Sequence, residues 1–252
     1  MGLGDERGYG YLRLDPALPG YLAARLDAAT LDELRGFWAA AMMRLVDFLY
    51  QQKFQDAQLA AQLTLLELPN LLALLGWLGG ELERAQIEPE QVVAVAGSIE
   101  QLLANLSRPV ALARAVALRQ AAARKLGDWS LAQFQNQRLG IERLLAQGSL
   151  AAAQQSAESL RQRALAAGTA AYAGADYDIA AAHFVLGRTR RRGGQAAAAL
   201  TPLTEAQRRG PLRGGHPAGG GAGRQATGRG EQRTLGHSAY APATLRRGPG
   251  RF

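Results

Sequence analysis

The residues in this 252-residue chain that could carry chemistry are three histidines, a pair of aspartates and a cluster of arginines. His183 could act as a general base, but a packed or partly exposed histidine is the plainer reading in its apolar surroundings. His216 and His237 stand in Gly-rich sequence with no metal-ligand cluster around them. Asp176 and Asp178 form an acidic pair two apart. At a helix start, capping and the favourable N-terminal dipole explain them better than acid–base catalysis, with Asp176 as the expected N-cap. No cysteine is present, which excludes disulfides, thiol catalysis and Cys-based zinc sites. The chain contains no G-x-x-x-x-G-K-[ST], no H-E-x-x-H and no G-x-S-x-G. The expectation is a non-enzyme with no catalytic residues, no cofactor and no metal.

A binding constellation is better supported. Phe184, Arg188, Arg191 and Arg192 are spaced by four and then three or four, so on a helix they share a face. An aromatic ring beside guanidinium forks suits an acidic peptide or a C-terminal carboxylate. The plainer alternative is a solvated basic helix end, where Arg complements the helix dipole.

Helices must position these groups, because helical periodicity runs through almost everything before residue 210. Asp27 or Thr30 can cap a helix reaching about Gln52, with Leu31, Leu34, Trp38, Met42, Leu45, Phe48 and Leu49 as its apolar face. A second helix is expected from Asp56 to Leu68, stopping before Pro69, and a Leu-rich third from Asn70 to about Leu78. Pro89 and Pro109 each suit the first turn of a further helix. Turns are expected near Gly127, Gly148 and Gly193-Gly194. Leu63–Leu78 invites a membrane reading, but it is short of the ~20 residues of a span and holds Glu67, Pro69 and Asn70. Two buried helices meeting at Pro69 are the better reading, and no membrane span is expected.

Charge is unevenly spread. The net charge is +8, of which residues 210–252 hold seven Arg against one Glu. The start has no apolar signal region, so a cytoplasmic protein is expected.

Residues 177–209 carry a resemblance. Leu186-Gly187, then Ala199, Leu203 and Ala206, follow the order of the tetratricopeptide repeat (TPR), with His183 where Trp is usual and Arg190 where Tyr is usual. Gly127 to Ala132 resembles the turn of a more degenerate repeat. The resemblance implies an all-α, TPR-like solenoid of antiparallel helix pairs, in which Gly187 and Ala199 are small where two helices cross. The spacing from Gly148 to Gly194 exceeds the ~34-residue period, so the repeats are irregular. The resemblance also implies that Phe184, Arg188, Arg191 and Arg192 face a concave groove. More loosely, the chain resembles the repeat arm of large bacterial signalling ATPases, without the ATPase module.

The resulting organisation is a flexible leader over residues 1–20, Leu-rich helical layers over 21–108, TPR-like repeats over 109–209 and a disordered basic tail over 210–252. The tail has twelve Gly and little to bury. Its codons, read one base over from Pro211, could spell the expected continuation of a repeat, which marks it as a candidate frameshift product in a fragment of a larger protein. The expected function is a protein–protein interaction scaffold with a protein or peptide partner of acidic character. The alternative is nucleic-acid binding through the Arg/Gly tail, ranked below it because aromatics are scarce there.

Overall fold

The computed structural model describes residues 4–6, 12–14 and 17–209. The expected tail, with His216 and His237, lies outside the described residues, whereas the expected leader over 1–20 is described in part, at β-strand and helix residues. Near the start, β1 (Gly4–Glu6) and β2 (Leu12–Leu14) pair antiparallel, with Gly4 opposite Leu14. Everything else with regular structure is helical.

The chain divides into two compact units, Met1–Leu126 and Gly127–Phe252. The first holds α1 (Ala17–Ala23), α2 (Ala28–Gln55), α3 (Ala57–Leu66), α4 (Leu68–Glu83), α5 (Pro89–Leu103) and α6 (Pro109–Lys125). Asp27 caps α2 by accepting from the Thr30 N–H at 2.8 Å, and Asp56 caps α3 through the Leu59 N–H at 2.9 Å. Pro69 starts α4 rather than ending α3, since a missing N–H costs nothing in a first turn. Pro89 and Pro109 open α5 and α6 for the same reason.

The buried stripe of α2 is Ala39, Met42, Val46 and Leu49. This differs from the expected face, because Leu34 and Phe48 are about half exposed. Each residue turns a helix by 100°, so Phe48 points well away from Leu49. Leu71, Leu74, Leu78 and Leu82 recur along one face of α4 and are buried. No single helix among the described residues is long and apolar enough to cross a membrane. The apolar pair α3 and α4 bends by 70° at the break between them.

Glu100 of α5 and Arg119 of α6 form a buried ion pair, Nε to Oε2 at 2.6 Å. It ties α6 to α5 inside the first unit, whereas the sequence reading groups α6 with the repeats that follow. The charge that Arg119 presents to the core has no sequence signature, because its partner lies on another helix.

The second unit holds α7 (Leu131–Ala146), α8 (Leu150–Ala167), α9 (Ala175–Arg192) and α10 (Ala196–Arg209). Ser130 caps α7, its hydroxyl accepting from the Gln133 N–H at 3.4 Å. Phe134, Ile141, Leu160, Ile179 and Leu186 meet in its core. Trp129 packs edge-on to Phe134 at 6.4 Å, and the Arg163 guanidinium lies 4.7 Å above the Trp129 ring.

Candidate functional site

The candidate site is built on α9. This helix starts not at Asp176 but at Gly174, whose φ of +90° is a left-handed conformation that a side chain would resist. The expected N-cap is therefore two residues too late. Asp178 instead accepts a hydrogen bond from the Tyr172 hydroxyl at 2.9 Å, pinning the α8–α9 loop to the helix. Burial pushes the Asp178 carboxyl up to about 6, against the opposing pull of the Tyr172 bond and of the Arg138 charge. Burial and the neighbouring Asp178 charge push the Tyr172 phenol up as well. Neither group has catalytic company, and no cluster of three or more His, Asp or Glu suited to a metal occurs among the described residues.

The far end of α9 is set by its crossing with α10. The three residues Gly193 to Gln195 reverse the chain, and Gly194 takes a φ of +77° that suits glycine. Two turns back, a Cβ built on Gly187 would lie 2.5 Å from Leu203 Cγ and 3.3 Å from the Ala199 carbonyl oxygen. The helices approach this closely only because residue 187 has no side chain. Pro202 sits inside α10 and lacks the N–H that would bond Ala198. The Arg190 guanidinium donates to that carbonyl at 3.1 Å instead. A residue standing where the repeat pattern has Tyr thus repairs a break in the neighbouring helix.

The four residues selected from the sequence lie along one side of α9, but not as an equal set. The Phe184 ring is 37% exposed, and the Arg188 guanidinium carbon lies 5.9 Å from its centre. Arg188 is half-buried and ion-paired with Glu142 of α7, so its charge is already offset. Arg191 and Arg192 are exposed in the last turn. They have no ion-pair or hydrogen-bond partner among the described residues. The face that results has an aromatic platform, a held guanidinium and two free ones.

A second feature of α9 was not anticipated. His183, Leu186 and Arg190, spaced by three and four, line an open groove of about 800 Å³ together with one side of α8 and one side of α10. His183 is 6% exposed, and neither ring nitrogen has a partner among the described residues. Burial, and then the positive charges of Arg161 and Arg209, hold its pKa below the usual histidine value. The available signal was the same three-and-four spacing repeated at Glu158, Arg161 and Leu165, but the phase of three separate helices cannot be aligned from sequence.

No family model matches the chain, and no curated protein or solved structure matches it.

Proposed function

We propose that the chain is a protein-interaction scaffold built from TPR-like helix pairs, and that the Phe184 face of α9 binds an acidic peptide segment. The observation that carries this reading is the exposed Phe184 ring flanked by Arg188, with Arg191 and Arg192 unpartnered one to two turns on. An apolar side chain of the ligand would cover the ring while its carboxylates accept hydrogen bonds from the guanidinium forks. The close Gly187 crossing and the glycine turn support the helix-pair reading, because both serve to stack neighbouring helices.

Arg188 belongs to the scaffold of this face more than to its affinity, since Glu142 already satisfies its charge. The test is fluorescence anisotropy with a labelled acidic peptide carrying one aromatic residue. Arg191→Ala with Arg192→Ala is expected to weaken binding about three- to tenfold, as exposed ion pairs are each worth up to about 1 kcal/mol. Raising the salt should weaken the parent more than the variant, because screening acts on the charges removed. Equal affinity of the parent and the double variant, at equal helicity, would sink the assignment.

A further inference from the structure

We infer that the groove between α8, α9 and α10 is a binding site for a carboxylic acid with an apolar stem, its head at His183 and its stem over Leu186 and Pro202. Four guanidiniums here share two carboxylates. Glu158 holds both Arg161 and Arg190, and Glu205 holds both Arg208 and Arg209. Arg209 can therefore pass to an entering anion while Glu205 keeps Arg208, to which it is joined by two bonds of 2.9 and 2.8 Å. Such an exchange leaves no charge unpaired.

The buried groups along the groove include N–H donors that lack an acceptor. The Arg190 Nε–H is buried and unpartnered, and so are both nitrogens of His183. With its pKa held down, the His183 ring is neutral near pH 7 and offers one N–H. Buried polar groups are nearly always satisfied in native proteins, so an orphaned imidazole lining an open groove points to an acceptor that completes it. The groups facing His183 are Glu158 and Arg161 from α8, and Glu205 and Arg209 from α10. An anion seated among them stabilises the imidazolium, so binding raises the His183 pKa.

The stem follows from the apolar wall. Leu165, Leu186, Leu200 and Pro202 line the groove, and Leu200 is 65% exposed. From His183 to Arg190 the helix rises about 10 Å, room for an acyl chain of about eight carbons. This face of α9 is distinct from the Phe184 face, and the inference does not depend on the peptide reading.

The experiment is a titration of the full 252-residue chain with octanoate, read by proton–carbon correlation of the three histidine rings. The expected result is a saturable shift of the His183 signal at neutral pH, with its apparent pKa raised in the complex. Octanol, with the same stem and no charge, should leave it in place, and butanoate should bind at least about tenfold more weakly. Leu200→Ser and Arg209→Gln change an exposed and a rim position, and each should weaken octanoate binding several-fold at unchanged helicity. Arg191→Ala with Arg192→Ala should leave it unchanged, which separates this site from the peptide face. An unmoved His183 signal, shifts confined to His216 and His237, or unaltered affinity in both rim variants would overturn the inference.

Discussion

Gly187→Ala is the most searching perturbation of the second unit, because the added methyl has a defined collision. Its Cβ would meet Leu203 Cγ at 2.5 Å and Cδ2 at 2.7 Å, about 1 Å inside ordinary contact. Cγ is the branch point of the leucine, so rotating a terminal methyl does not clear it. The Ala199 carbonyl at 3.3 Å limits retreat in the other direction. Overpacking of this kind costs about 1–3 kcal/mol, whereas Ala in place of Gly in a helix interior returns about 1 kcal/mol. Two contacts under 3 Å put the overpacking in the upper part of that range, so we expect a net loss of about 1–2 kcal/mol. Leu203→Ala removes the colliding atoms, so in that background Gly187→Ala should be neutral or stabilising. The coupling between the two sites should be about 2 kcal/mol. Urea denaturation of the full chain gives the energies. Hydrogen exchange at α9 and α10 amides assigns them to this unit, since two compact units need not unfold together. A single variant as stable as the parent, or effects that simply add, would refute the close-crossing argument.

Asp178 should make stability depend on pH. Its folded value of about 6 lies above the 3.8 of a free carboxyl, so the folded chain holds the proton more tightly. The stability that Asp178 contributes should be greatest below about pH 4, fall by about 2–3 kcal/mol up to about pH 6 and then level. Asp178→Asn keeps an acceptor for Tyr172 and should flatten that fall; an unchanged slope in urea midpoints would rule the group out as its source. Arg190→Met should cost about 0.5–1 kcal/mol by removing the bond to the Ala198 carbonyl. With Pro202→Ala present, a backbone N–H becomes available to that carbonyl and the same change should cost less, as a double-mutant cycle would show.

Local signals were legible where the cause is local. Asp27 has a side chain short enough to reach a free N–H three residues on, and it caps its helix. Pro89 and Pro109 open helices because a proline ring fits the first turn. Gly187 and Ala199 could be picked out as a tight crossing through the resemblance to a helix-pair repeat, which places small residues at those positions. What sequence could not supply was the rotation of one helix against another. The α2 stripe is shifted from its expected face because apolar residues occur all round that helix, and only packing selects among them. Gly174 displaced Asp176 as the cap because a left-handed backbone and the Tyr172–Asp178 bond favour an earlier start. Arg188 pairing with Glu142, Arg119 with Glu100, and Arg190 with the carbonyl freed by Pro202 join residues on different helices. Spacing along a chain reports which residues share a face of one helix; which charge or cavity that face meets is decided by the three-dimensional packing of several helices.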